Sequence, residues 1–356
     1  MDKDVVYANW WSKALFKRNF ENQHYIPLPA RWSDRLLLKT IERLAFNGSF
    51  KDIRIEKPVF IVGLPRSGTT LLYNLLCSHE RSAYITNSMN SFTEAPCAIE
   101  WLRKKFKLNI RGPRFLADSI DTDFGSPSEP IMFWGKWFGR DADSLHWEER
   151  RGAELAPAEV EAMRRDIRKI LYCFGGSSQR LVIKYPVMQT ELLMLQDLFP
   201  DARFIHILRD GRDVAHSLIK LYRLSNEQLR KIKHPTVSHI VPYPRVAGLK
   251  GYIDRFGAES LECTSRVWSE ALELVEEARP KLTNFLEVRH EKILESPVSN
   301  LEKIFEFCDL PWPKSPEFKR TFDSIGKISH KNNYAGNEIV ERAVGPALEK
   351  WGYGSI

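Results

Sequence analysis

One stretch constrains the fold of this chain more than any other: Val59-Phe60-Ile61-Val62-Gly63-Leu64-Pro65-Arg66-Ser67-Gly68-Thr69-Thr70. Its four β-prone apolar residues predict a strand, Gly63 and Pro65 stop it, and Thr69 to Ser78 read as a helix. The loop between has the spacing of the phosphate-binding pattern GxxxxGK[ST], with Thr69 in the place of the lysine. The anion-binding physics survives that change. Glycines let successive backbone N–H groups converge, and the helix N-terminus adds unpaired donors and a positive dipole end. Ser67, Thr69 and Thr70 add hydroxyls, and Arg66 adds a permanent charge. Without the lysine, and without an apolar strand ending in an aspartate that could hold magnesium, the machinery for moving a γ-phosphoryl group is missing. A P-loop nucleotide kinase is therefore only an alternative reading, and the loop is expected to hold a chemically different anion.

The same logic repeats along the chain. Leu181-Val182-Ile183, Phe204-Ile205-His206-Ile207-Leu208 and Phe285-Leu286-Glu287-Val288 read as further strands, with helices at 157–174 and 265–278. The alternation predicts an α/β fold of three layers, a mostly parallel sheet with helices on both faces. Ligands of such folds bind outside the carboxyl ends of the strands. Two connections, about 80–150 and 224–257, read as long irregular segments of the kind that form binding loops.

Residues 1–57 read as an N-terminal helical extension packed on the core, and 58–356 as the main domain. Leu36, Leu37, Leu38, Ile41 and Leu44 recur at helical spacing and are expected to pack on the body. The extension is basic, with eleven Lys or Arg against seven Asp or Glu. Its Trp10-Trp11 pair beside Lys13, Lys17 and Arg18 admits a peripheral membrane contact as the alternative. The net charge of +7 calls for an anionic partner. No apolar stretch is long enough to cross a bilayer, and the first residues lack the apolar core of a secretory signal. The five cysteines, at 77, 97, 173, 263 and 308, contain no CxxC pair and suggest neither a disulfide framework nor a metal site, so a reducing, cytoplasmic location is expected.

A second anion site is expected after the strand 204–208. Arg209 closes that strand at its ligand-binding edge, and Ser217 falls about two turns along the following helix, so that a guanidinium and a hydroxyl could clamp a second phosphate. The plainer reading makes Asp210 a helix cap and leaves Arg209 and Arg212 as surface charges.

Phosphate-like groups at both ends of one small molecule, held without a Walker lysine, point to 3′-phosphoadenosine 5′-phosphosulfate (PAPS). Here the chain resembles the PAPS-dependent sulfotransferase family, over roughly residues 57–353. Pro65-Arg66-Ser67-Gly68-Thr69-Thr70 resembles the family's 5′-phosphosulfate loop, and Arg209 with Ser217 its 3′-phosphate motif. Leu181-Val182-Ile183-Lys184-Tyr185-Pro186 resembles the strand whose lysine reaches the transferring group. Leu286-Glu287-Val288-Arg289-His290-Glu291-Lys292-Ile293-Leu294 resembles a V-R-Y-E-D-L segment, with His290 in place of tyrosine and Lys292 in place of aspartate. Arg342-Ala343-Val344-Gly345-Pro346 with Trp351-Gly352-Tyr353 resembles the element that closes over the nucleotide.

The resemblance implies a P-loop NTPase-like sulfotransferase fold and metal-free transfer of SO3 from PAPS to an acceptor hydroxyl, with adenosine 3′,5′-bisphosphate (PAP) released. It makes Arg66, Ser67, Gly68, Thr69, Thr70, Arg209, Ser217, His290, Arg342 and Gly345 cofactor-binding residues, and Arg66 and Lys184 catalytic. Relatives place the acceptor's base in a Glu about twenty residues beyond the loop, or in a His two residues after the lysine. Here 84–90 holds no acid and Pro186 fills the second position, so Glu94 and Glu129 are the replacements, Glu129 preferred. The aromatic extension would suit a lipid acceptor, and the long basic loop a carbohydrate. The missing base also supports a non-catalytic nucleotide- or anionic-glycan-binding protein. Nucleic acid is not expected as a partner, because the basic segments at 101–114 and 230–255 lack a recognition motif.

Overall fold

The computed structural model describes residues 5–26, 28–115, 121–140, 144–232, 243–325 and 334–354. Its strands are β1 (Val6–Tyr7), β2 (Val59–Val62), β3 (Ser82–Ala83), β4 (Ile110–Pro113), β5 (Asp121–Asp123), β6 (Arg180–Lys184), β7 (Arg203–Leu208) and β8 (Phe285–Arg289). Five of them form the main sheet in the order β3-β6-β2-β7-β8, every pair parallel. The strand that opens the phosphate loop thus lies at the centre of the sheet. Strands β1, β4 and β5 make a small antiparallel sheet that the sequence pattern does not announce.

Helices α1 (Trp10–Phe16) and α2 (Trp32–Ala45) precede β2, and α3 (Thr69–Cys77) follows it directly. Next come α4 (Asn87–Ser91), α5 (Pro96–Lys105), α6 (Ile131–Phe138), α7 (Pro157–Phe174) and α8 (Leu192–Leu198). Between β7 and β8 run α9 (Gly211–Ile232), α10 (Leu249–Phe256) and α11 (Leu261–Ala278). After β8 come α12 (His290–Glu295), α13 (Pro297–Phe307), α14 (Pro316–Asp323) and α15 (Asn337–Lys350).

Side-chain alternation along the strands divides the core into the layers expected of a doubly covered sheet. Phe60, Val62, Leu181, Ile183 and Phe204 join one cluster, with residues of α5, α6, α7 and α8. Val59, Ile61, Val182, Ile205 and Ile207 point the other way, into a cluster with α3, α13 and α14. All four residues of β2 are buried, which explains why that strand reads as an unbroken apolar run. A third cluster at the carboxyl end of the sheet joins Leu64 and Leu208 to α9, α11 and α15.

Three expectations are corrected. The 80–150 connection is not irregular: it carries β3, β4, β5, α4, α5 and α6. Most of 224–257 is also ordered, because α9 continues to Ile232 and α10 begins at Leu249, while 233–242 lies outside the described residues. In the extension, β1 pairs with β4, and α2 docks through Leu38 and Glu42 rather than through its whole leucine set. The Glu42 carboxylate accepts the Ala98 N–H at 2.7 Å and pairs with Lys169 at 3.0 Å. That polar anchor turns Leu36, Leu37 and Leu44 outward. No helix among the described residues is long and apolar enough to cross a membrane.

Candidate active site

The site grows from the β2–α3 turn. Gly63 (φ +153°) closes against β7 so tightly that a Cβ there would stand 2.7 Å from the Ile207 carbonyl oxygen. Gly68 (φ +90°) leads into α3, and a Cβ there would stand 2.2 Å from Nδ1 of the buried His290. Both positions need glycine for conformation and for room. Arg66 takes φ +72° without being glycine, a strained conformation of the kind that collects at functional sites. The α3 N-terminus has no side-chain cap and no acid in its first turn, so the electrostatics there favour an anion.

The two sequence motifs meet at Arg66. Arg209 donates from Nη1 to the Arg66 carbonyl oxygen at 2.9 Å, steadying the strained peptide. Arg66 donates from Nε to Ser217 Oγ at 2.9 Å, joining residues 151 positions apart. Arg209 is itself held by Asp213, one turn further along α9, at 3.0 Å. Asp213 is buried, and burial raises its carboxyl pKa against the lowering pull of Arg209.

On the other side of the loop, β6 delivers Lys184. Its ammonium is buried, lies 3.5 Å from Thr70 Oγ1 on the first turn of α3, and is ion-paired with Glu129. A buried ammonium needs such a partner, because its desolvation is otherwise uncompensated. Glu129 keeps 36% of its side chain exposed, so it is not sealed from solvent as Lys184 is. The segment that carries it is pinned by Asn90, whose Nδ2 donates to the Glu129 carbonyl at 3.0 Å, and by Tyr73, whose hydroxyl donates to the Ser128 carbonyl at 3.2 Å. Burial first, and the Glu129 charge after it, push the phenols of Tyr185 and Tyr243 well above the ordinary tyrosine range.

The other expected residues fall in distinct places. Ser67 and Thr69 are buried within the loop, whereas Arg66, Gly68 and Thr70 are partly open. Glu94 does not join the cluster: its carboxylate faces Arg35 at 3.1 Å and Lys39 at 3.6 Å, both on α2. Arg342 is exposed on α15, and Gly345 follows the break in that helix at Val344 (φ −141°). The reading of Asp210 as a helix cap matches a 2.9 Å bond from the Arg212 N–H. Arg212 is not a surface charge, however. It is buried between Asp210 at 2.8 Å and Glu341 at 2.9 Å.

Arg212 also donates to the Tyr353 carbonyl at 3.1 Å, and the Tyr353 hydroxyl donates to Glu291 at 3.1 Å. Glu291 in turn accepts the Asp210 N–H at 3.1 Å, and Arg289 donates to the Trp351 carbonyl at 2.6 Å. These bonds moor the C-terminal element to the β7–α9 and β8–α12 turns. Sequence reasoning overlooked Asp213, Glu291 and the tyrosines. Only Asp213 carried a local signal, its place four residues beyond Arg209 in the first turn of the helix that follows.

Residues 58–314 match the model described as the sulfotransferase family. The omega-hydroxy-beta-dihydromenaquinone-9 sulfotransferase Stf3 of Mycobacterium tuberculosis is 22% identical over 370 residues, covering 96% of this chain and 89% of that protein. Protein-tyrosine sulfotransferase A of Caenorhabditis elegans is 24% identical over 298 residues, covering 82% of this chain and 60% of that one. The crystal structure of sulfotransferase STF9 from Mycobacterium avium shares the fold, with a TM-score of 0.51 and 13% identity over 97% of this chain and 86% of that chain. The phosphate loop on the central strand, the parallel sheet around it and the match over most of its length agree: this chain belongs to the sulfotransferase family and carries out sulfuryl transfer.

Proposed function

We propose that this chain transfers the sulfuryl group of PAPS to a hydroxyl of a lipid or carbohydrate acceptor, releasing PAP, with Glu129 as the acceptor's base. One observation carries the reading. Arg66, Ser217 and Arg209 are linked to one another, Lys184, Thr70 and Glu129 likewise, and the two groups share the loop that leads into the uncapped α3 N-terminus at the carboxyl edge of the sheet. The three cations and free backbone amides fit an anionic nucleotide ended by two phosphate-type groups. The PAPS sulfuryl group supplies the electrophile.

In this reading Arg66 and the first amides of α3 hold the 5′-phosphosulfate, with Ser67, Gly68, Thr69 and Thr70 shaping the cradle. Arg209 and Ser217 hold the 3′-phosphate, and His290, Arg342 and Gly345 border the nucleotide. Lys184 stabilises negative charge at the transfer point, and one preorganised donor of this kind contributes about 3 kcal/mol. Glu129, seated against Lys184 at the edge of the site, accepts the acceptor's proton. The name of the M. tuberculosis relative, which carries a hydroxylated dihydromenaquinone, favours the lipid arm for the acceptor. All five cysteines are free thiols, which supports placing the reaction in the reducing cytoplasm.

Calorimetric titration with PAP, and separately with ATP and magnesium, tests the nucleotide. Binding of ATP but not PAP overturns the reading. Arg209→Ala is expected to weaken PAP binding by about 1.5–3 kcal/mol, the loss of a charge-assisted contact. Labelled-sulfate transfer from PAPS to lipid extracts and glycans tests the acceptor. Glu129→Gln is expected to lower turnover by about 10²–10⁴ while PAP still binds. Tight PAP binding with no transfer to any acceptor would favour a binding protein.

A further inference from the structure

The outer face of α2 has the wrong chemistry for water. Trp32, Leu36, Leu37 and Leu44 are 78%, 61%, 64% and 83% exposed. At 3.6 residues per turn they fall on the side opposite Leu38 and Glu42, through which the helix docks. The small Ser33 and Thr40 and the exposed Arg43 lie among them. The two acids of the helix are elsewhere: Glu42 is turned inward onto Lys169, and Asp34 lies towards the docked side. Further cations border the apolar stripe, with Arg31 exposed and Arg35 and Lys39 sharing the single carboxylate of Glu94. In the same extension Trp10 and Trp11 are also mostly exposed, their rings edge to face at 4.6 Å, with exposed Lys13 and Lys17 following.

An apolar stripe of this extent marks an interaction surface. Two occupants could cover it, a lipid bilayer or a second copy of this chain. The charge decides between them. A two-fold contact would set the arginine rim against its own copy, like charge against like, without an acidic patch to receive it. An anionic bilayer takes the leucines into its acyl boundary, seats the tryptophans at headgroup level, and attracts each nearby Lys or Arg.

We infer that α2 is a membrane-surface helix, through which the chain docks onto an anionic lipid bilayer. The docked face is coupled to the site. Two residues before α2, Ala30 donates its N–H to the Ser91 carbonyl on α4 at 3.0 Å, and the neighbouring Asn90 is the residue that pins Glu129. The start of α2 is thus tied through α4 to the segment that carries Glu129. The further step, that the acceptor hydroxyl is drawn from that bilayer, rests on the function proposed above.

Flotation of the full chain with phosphatidylcholine vesicles, with and without phosphatidylglycerol, tests docking without any activity assay. Binding is expected to the anionic vesicles, weakened by added salt. Leu36→Gln/Leu37→Gln is expected to weaken it by about tenfold or more per leucine withdrawn from the interface, with unchanged thermal unfolding and PAP affinity. Absence of vesicle binding, or binding unaffected by the double substitution, overturns the proposal. So does a dimer in sedimentation that the substitution dissociates, which would assign the stripe to a second copy. Docking without transfer to lipid acceptors would leave the surface in place and remove only the acceptor step.

Discussion

Replacing Gly68 by alanine tests the construction of the anion loop independently of any ligand. Gly68 sits at φ +90°, where an L-residue costs about 1–2 kcal/mol, and its new Cβ would stand 2.2 Å from Nδ1 of His290. No real Cβ tolerates that approach, and His290 is only 3% exposed, so the ring must be driven into packed surroundings. Overpacking of this kind costs about 1–3 kcal/mol, and the two contributions together give a loss of about 2–5 kcal/mol. The same substitution in a His290→Ala background should retain the backbone cost and lose the steric one. The cycle should then show a coupling of about 1–3 kcal/mol. Urea unfolding followed by tryptophan fluorescence measures all four proteins, with unchanged slopes as the check that midpoints report stability. PAP titration on the same samples reads whether the α3 N-terminus keeps its shape. An equal cost for Gly68→Ala in both backgrounds would refute the reasoning, since the ring would then not be the wall against which the loop is built.

Two further substitutions probe buried polar groups away from the anion loop. Arg140→Ala removes the 2.7 Å partner of Glu191, whose carboxyl is wholly buried and already pushed upward by burial, with Arg140 opposing. The loss should be about 3–5 kcal/mol at neutral pH, smaller in acid where Glu191 is protonated, and smaller still in Arg140→Ala/Glu191→Gln, all measured by chemical denaturation. His79 accepts the Arg81 N–H at Nδ1 (2.9 Å) and faces the Pro311 carbonyl with Nε2 (3.0 Å), an arrangement made by the neutral ring. Burial lowers its pKa, so the unfolded chain takes up this proton first on acidification. Its stabilisation is present above the unfolded histidine value, about 6.5, and is lost as pH falls below it; His79→Gln should flatten that part of the stability–pH curve.

Some of this protein was legible before any coordinates. The unbroken Val59–Val62 run, the glycines at 63 and 68 and the helix after them report purely local constraints: a strand buried on both faces, two positions without room for a side chain, and a helix end open to an anion. Strands alternating with helices sufficed for the layers, because periodicity records which faces are apolar. It does not record what those faces meet. The edge strand β3 has two residues, too few for a pattern, and β1 is visible only through β4. The partners of Glu94 and Glu129 also lay beyond local signal, since both are glutamates in connecting segments and the sequence preferred Glu129 only by its proline-containing turn. Packing shows what each one meets, seating Glu94 against Arg35 of α2 and Glu129 against Lys184.

The sequence by itself determined the phosphate loop, the class of fold and the two motifs that bear on an anionic nucleotide. Tertiary structure alone decided that Arg66 reaches Ser217 across 151 positions, that Arg212 is buried, and that Leu36, Leu37 and Leu44 of α2 look outward while Leu38 looks in. The reason is physical: conformational preference acts within a few residues, whereas the partner of a charge or the cover of an apolar face is set by which distant surfaces the fold brings together.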